Sequence, residues 1–396
     1  MSGPLNGVTI LDTTRVVSGP FATQLLADLG ARVIKIETPG TGDETRMLGP
    51  RLAGESAMFL ALNRGKESVV LDLRHAEAAG VLNDLVRRAD VVIENFRPGV
   101  AKRLHLDYAT LAKVKPDIIA CSISGYGQEG PGADRPAYDV IIQALGGGMS
   151  LTGEAGRPPM RAGLPIADLA GGLYATIGIL AALQERSRTG RGQHVDIALL
   201  DCHVSLLSYF ASYFLLAGQV TRSVGSGHPS AEPYGAFPTG DGYVVIAVYN
   251  ESFWPRLCEA LGHPDLARDE RFATNALRVE NRVELRRVMH QIMATHPTDH
   301  WVRAFTAVNV PAAPINSIDQ ALDDVQVKAR GMFVEVEHER CGTVRAVGSP
   351  VKLSRHGERP RTAPPVLGQH TERVLSEFLG YPAEKIRALR AAHCAE

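Results

Sequence analysis

Cysteine is scarce in this 396-residue chain: Cys121, Cys202, Cys258, Cys341 and Cys394 are widely spaced and include no Cys-x-x-Cys pair. That scarcity argues against a disulfide framework or a zinc knuckle and points to reducing, cytoplasmic surroundings. A surplus of charge is missing too. The formal net charge is -1 at pH 7, so the basic footprint of a nucleic-acid binder is absent. The apolar stretch Leu169 to Leu183 is shorter than the roughly 20 residues a bilayer span needs, which predicts a buried core helix and no membrane partner. The opening MSGPLNGVTILD lacks the basic start and apolar run of a secretory signal, so export is not expected. There is no Gly-x-Ser-x-Gly elbow, and His194, His203 and His228 show no helical metal spacing. Serine-hydrolase and zinc chemistry drop out, and no metal site is expected.

What is there reads as alternating strands and helices. VTILD, PFATQLLADLGA and RVIKIE make a βαβ unit, with Pro20 suited to a helix start and Gly30 to its stop. ESVVLDL, HAEAAGVLNDLVRRA, DVVIENF, a helix over Val100 to Val114 and DIIACSIS continue the pattern. Such alternation predicts an α/β fold with a mostly parallel sheet covered by helices. A long apolar helix starts near Asp168, HVDIALL is a strand, and a helix follows over Asp201 to Leu216. The polar passage TRSVGSGHPSAEP marks a boundary. Length alone calls for more than one core. The expected division is a large α/β domain over 1–220, a small α+β domain over 225–325, and a segment over 330–396 that returns to the large one.

The first strand-to-helix turn has one glycine, Gly19, where a dinucleotide fingerprint needs three, although Glu37 stands where a ribose-binding acid would. A helix N-terminus after Gly19-Pro20 still suits another phosphate-bearing ligand. Asn95 and Phe96 lie at a strand end, the ligand edge of a parallel sheet, with Arg97, Lys102 and Arg103 just beyond. Those cations suit phosphates or, equally, a solvated helix face. Asp168 is the one charged group of LPIADLAGGLYATIGILAAL. As an N-cap it would accept backbone amides, and these with the helix dipole would keep it ionised among apolar neighbours, hence nucleophilic. Gly171 and Gly172 would leave room for substrate and offer amides to an oxyanion.

These residues resemble the class III CoA-transferases, a family that includes formyl-CoA and carnitine CoA-transferases. The likeness runs through GVTILDTTRVVSGPFATQLLADLGARVIKIETPGTGDETR, NRGKESVVLDLR, ENFRPG, SGYGQEGP, AYDVIIQALGG, ADLAGGLYA and TGRGQHVDIALLD. It implies a Rossmann-like large domain, an interlocked ring-like homodimer, and Asp168 as the nucleophile that carries acyl and CoA groups in turn. Coenzyme A is then a substrate, with no tightly bound cofactor. Its implied contacts are Arg15, Val16, Ser18, Leu71, Asn95, Phe96 and Arg103. Thr38 and Pro136 replace basic residues of some members, and Arg135 would substitute. Tyr138 matches an active-site tyrosine, whereas the related α-methylacyl-CoA racemases have a histidine there. The second half looks more like the branch that moves CoA from succinyl-CoA to dicarboxylic acids such as glutarate, itaconate, malate or citramalate. On that reading Arg46 is a candidate for the second carboxylate, and His228 and Tyr234 for covering the pocket. Two alternatives stay open at this point: a racemase-like epimerase, and a CoA-binding module without turnover.

Overall fold

The computed structural model describes residues 3–356 and 362–396. Pro360 and Arg361, which open the proline-rich run PRTAPPVLGQH, lie outside the described residues. Six parallel strands form the main sheet: β1 (Thr9–Asp12), β2 (Arg32–Glu37), β3 (Lys66–Val70), β4 (Val91–Glu94), β5 (Ile119–Ser124) and β6 (His194–Ala198). Their spatial order is β3-β2-β1-β4-β5-β6. In this doubly wound order a ligand crevice opens where the strand order reverses, here between β1 and β4. Ile10 pairs with Val33 on one side and Val91 on the other, which fixes that register.

Both faces of the sheet are covered, which is why its strands read as nearly continuous apolar runs. Leu11, Ile34 and Val92 face a core closed by α2 (Ala78–Arg88). Ile10, Val33 and Ile93 face the opposite core, which includes Ala22 and Leu26 of α1 (Ser18–Asp28) and Ala175 and Ile179 of α6 (Ile166–Thr189). Gly30, at φ +105°, ends α1 in the left-handed region. At 24 residues, α6 exceeds the expected apolar run and is long enough for a bilayer span, yet it runs through this core with Ala167, Ala170, Thr176 and Ala182 also buried.

Two expected helices are broken. The helix over Val100 to Val114 is α3 (Val100–Arg103) and α4 (Tyr108–Val114), because Asp107 caps α4 by accepting the Thr110 amide and His105 adopts φ +60°. The helix over Asp201 to Leu216 is α7 (Leu199–Leu206) and α8 (Tyr209–Ala217), interrupted at Ser208, whose φ is +51°.

The chain divides into two compact units. The first comprises residues up to Gly146, Gly163–Leu207, and Lys328 onward; the second comprises Gly147–Ala162 and Ser208–Val327. The span 1–220 expected for the large domain therefore loses 147–162 and 208–220 to the second unit. Within the second unit, β7 (Tyr234–Pro238), β8 (Tyr243–Ala247) and β9 (Ala312–Pro314) form an antiparallel sheet over a core of Phe237, Trp254, Phe272 and Phe305. A hairpin of Phe333–His338 and Gly342–Val347 belongs to the first unit.

Candidate active site

The loop after β1 is held by buried charge. Asp12 accepts from the Thr14 amide at 2.9 Å and hydroxyl at 2.5 Å, from the Thr23 hydroxyl at 2.6 Å, and from Lys66 Nζ at 3.0 Å. Lys35 Nζ donates to the Thr14 carbonyl at 2.7 Å and pairs with Asp43 at 3.0 Å. Burial works against the Asp12 carboxylate, but Lys66 and Lys35 outweigh it and hold its pKa well below the usual range. So anchored, the loop places Val16 at φ +67°, a strained conformation for a β-branched residue. Across the switch point, Asn95 clasps Arg15: its Oδ1 accepts the Arg15 amide at 2.8 Å and its Nδ2 donates to the Arg15 carbonyl at 2.8 Å. The Arg15 guanidinium lies over the Phe96 ring, 5.2 Å from its centre.

Asp168 is the third residue of α6, within its first turn, and not the N-cap; Pro165 precedes the helix. The capping is done by Asp139, the first residue of α5 (Asp139–Leu145). Its Oδ1 accepts the amides of Ala167 at 2.9 Å and Asp168 at 3.4 Å, and its Oδ2 accepts from Gln143 at 2.6 Å. Those amides are therefore not available to the Asp168 carboxyl. Burial first, and the Asp139 charge second, push the Asp168 pKa up to about 7. The expectation of a fully ionised, dipole-stabilised carboxylate is corrected: near neutral pH the group is poised between its two forms.

Asp168 lines a cavity of about 150 Å³ together with Arg15, Val16, Ser18, Asn95, Phe96, Arg97, Arg135 and Tyr138. A second cavity, about 780 Å³, shares Arg15 and Phe96 with the first and extends over Thr38, Leu71 and Arg103. Its walls also carry Arg74, His75 and His105. The sequence reading missed these three; Arg74 and His75 are neighbours in the loop after β3 and His105 follows α3, so they border one cavity only once β3 and β4 lie in the same sheet. Arg135 lines the small cavity rather than the large one, with its guanidinium 5.2 Å from the centre of the Tyr126 ring.

Two other expectations are overturned, those for Arg46 and for Gly171 with Gly172. Arg46 is 8% exposed; its Nε and Nη2 bind both oxygens of Glu37 at 2.8 and 2.7 Å, and it stacks 3.6 Å over Phe59. It has no free face for a substrate, and Glu37 none for a ribose. Gly171 and Gly172 lie inside α6, past its free amides. A Cβ on Gly171 would fall 2.3 Å from Leu199 Cδ2, and one on Gly172 2.7 Å from the Ser18 carbonyl oxygen. These glycines let helices approach; they do not face substrate. His228 and Tyr234 belong to the second unit, where their rings meet each other at 5.3 Å and His228 meets Tyr249 at 6.1 Å.

Sequence reasoning also missed Asp139 itself, although it adjoins Tyr138 in AYDVII at a helix start. His203 was weighed only as a metal ligand. It is buried on α7 with both ring nitrogens lacking a hydrogen-bond partner, against Gly146, where a Cβ would lie 2.5 Å from its Cδ2.

A carboxyl-bearing helix start beside an arginine-lined crevice at the switch point of a parallel sheet suits a phosphate-bearing ligand. The chain belongs to CoA-transferase family III, whose family model matches residues 5–371. It is 42% identical to the succinate-glutarate CoA-transferase of Agrobacterium fabrum, over 95% of this chain and 96% of that one. It is 39% identical to the human succinyl-CoA:glutarate CoA-transferase, over 98% and 89% of the two chains. A solved structure of a CAIB/BAIF family protein from Brucella suis superposes with a TM-score of 0.87 at 39% identity, covering 95% of this chain and all of that one.

Proposed function

We propose that this protein moves CoA from succinyl-CoA to a dicarboxylic acid such as glutarate, itaconate, malate or citramalate, with Asp168 as the covalent carrier. The observation that carries the reading is the Asp168 carboxyl, seated in a small cavity that adjoins a larger one lined by Arg15, Arg74 and Arg103. The nucleotide end of CoA fits the larger space, its phosphates facing Arg103 and Arg74. The thioester end reaches the smaller one past Arg15 and Phe96. CoA enters and leaves as substrate and is not a resident cofactor.

The ionised Asp168 attacks the succinyl carbonyl carbon; the carbon–sulfur bond breaks, CoA leaves as thiolate, and a mixed anhydride remains. The thiolate then attacks the aspartyl carbonyl and expels succinate, leaving an aspartyl-CoA thioester. The acceptor carboxylate attacks that thioester, and thiolate return to the acceptor's acyl carbon frees the new thioester and restores Asp168. A pKa near 7 leaves enough carboxylate for attack while keeping it more basic than an ordinary aspartate. The anhydride is readily hydrolysed, so the small cavity must be closed to water during turnover.

A homodimer fits the apolar side chains left exposed on α5 and α6, among them Val140, Ile141, Leu145, Leu173 and Ile177. A cytoplasmic setting fits five cysteines that are all unpaired. The deciding experiment incubates the protein with succinyl-CoA and hydroxylamine and locates the modified residue by mass. Hydroxamate formation at Asp168, absent with free CoA and lost in Asp168→Asn along with turnover, is the expected result. An Asp168→Asn or Asp168→Ala variant that transfers CoA at the parent rate would end the proposal.

A further inference from the structure

A diacid brings a second negative charge into the site, and Arg46, the cation expected to meet it, is sealed against Glu37. The Asp168 cavity supplies others. Arg15, Arg97 and Arg135 line it, and Asp168 is the only carboxyl among its wall residues. Of the three, Arg15 is the one whose main chain is fixed at both ends, by the two bonds from Asn95. Its guanidinium rests on Phe96, and its ion-pair partner, Glu44 at 3.7 Å, is largely exposed, so that pairing competes weakly with an incoming carboxylate. A pre-positioned guanidinium that can offer two parallel N–H donors suits a carboxylate. The space fits as well. At about 150 Å³ the cavity matches about five water molecules at roughly 30 Å³ each, the scale of a short diacid rather than of a long acyl chain.

We infer that Arg15 binds the distal carboxylate of short dicarboxylic substrates, and so sets the selectivity for diacids over monoacids. This rests on the transferase reading above. It departs from the contact to CoA that family resemblance implies for Arg15. Because donor acyl group and acceptor acid each form their anhydride at the Asp168 carboxyl group, one cation serves the free end of both. Succinyl-CoA as donor and glutarate as acceptor therefore depend on Arg15 alike.

The test compares kcat/KM for succinyl-CoA, its monomethyl ester and butyryl-CoA in the parent protein, in Arg15→Gln and in Arg15→Lys, with hydroxylamine trapping of the acyl-enzyme as a readout independent of the acceptor. The parent is expected to favour succinyl-CoA over the monomethyl ester at least tenfold. Arg15→Gln is expected to lose at least tenfold more with succinyl-CoA than with butyryl-CoA, and Arg15→Lys to recover part of that difference. Equal losses with both donors would assign Arg15 to CoA and overturn the inference. So would a parent protein that uses ester and acid equally well, a comparison that needs no folded variant. A parent that forms no acyl-aspartate from succinyl-CoA overturns the transferase reading, and this inference with it.

Discussion

One oxygen of Asp139 accepts the amides of Ala167 and Asp168, so a carboxylate from α5 occupies the start of the helix on which Asp168 presents its own. The two acids divide the work. Asp139 satisfies the helix terminus and fixes where α6 begins, and in doing so it removes from Asp168 the amides that would have kept it an ordinary carboxylate. Its charge also disfavours a second negative charge close by.

Replacing Asp139 by Asn keeps an acceptor for the amides and removes the charge. Asp168 then loses one of the two influences that raise its pKa to about 7, and its ionised form extends to lower pH. In the proposed mechanism attack needs the carboxylate, so the acid limb of the kcat/KM profile should move to lower pH in Asp139→Asn. Asp139→Ala also removes the cap, at a cost of about 1 kcal/mol seen as a lower melting temperature. A limb that stays in place in Asp139→Asn would show that burial alone sets the Asp168 pKa.

Gly172 should tolerate alanine worse than Gly171. A Cβ at 172 meets a backbone oxygen, that of Ser18, at 2.7 Å, whereas one at 171 meets the tip of the Leu199 side chain at 2.3 Å, and that tip can turn. Overpacking against α1 is expected to cost about 1–3 kcal/mol in Gly172→Ala, beyond the gain in helix propensity of about 1 kcal/mol. Thermal melts of both variants check the order. A Gly171→Ala that melts normally but loses affinity for acceptor acids would restore the substrate-facing role.

Much of the α/β alternation is legible because a sheet buried on both faces writes short apolar runs such as the VVI of VVIE into the chain. The order of those strands is not, since it depends on which loop crosses which face. Asp168 is legible as a lone acid in an apolar run, while its cap is hidden, because the residue that caps it lies on another helix. Arg46 reads as a loop arginine in GDETR; its pairing with Glu37 appears only once β2 and that loop fold together. The break between α3 and α4 turns on the local cap at Asp107, which outweighs a helical pattern running through it.

Arg46→Ala is expected to act on stability rather than specificity. Removing it leaves the Glu37 carboxylate, 3% exposed, with the Ser68 hydroxyl and the Asp43 amide but without its guanidinium. Breaking such a buried pair costs about 3–5 kcal/mol. Denaturant unfolding should show that loss, and the folded fraction should keep the parent's preference among diacids of different length. A changed preference at unchanged stability would return Arg46 to the substrate site.

Glu94, at the ligand end of β4, is 2% exposed, accepts the Phe96 amide at 2.7 Å, and bonds the Ser122 hydroxyl, which in turn meets His194 Nε2 at 3.0 Å. Burial raises its pKa from 4.5 to about 7, helped by the negative charge of Asp196 and opposed by those hydrogen bonds. An acid whose pKa is higher folded than unfolded holds its proton in the native state after the unfolded chain has released it. Its contribution to stability is therefore greatest below pH 4.5 and declines as the pH rises toward about 7. The gap corresponds to about 3 kcal/mol. Glu94→Gln keeps an acceptor for Phe96 and never ionises, so it should melt several degrees above the parent at pH 8 and close to it at pH 4.5. A difference in melting temperature that is the same at both pH values would mean that Glu94 is ionised throughout, or protonated throughout, and would remove it from the pH response of the loop that carries Asn95 and Phe96.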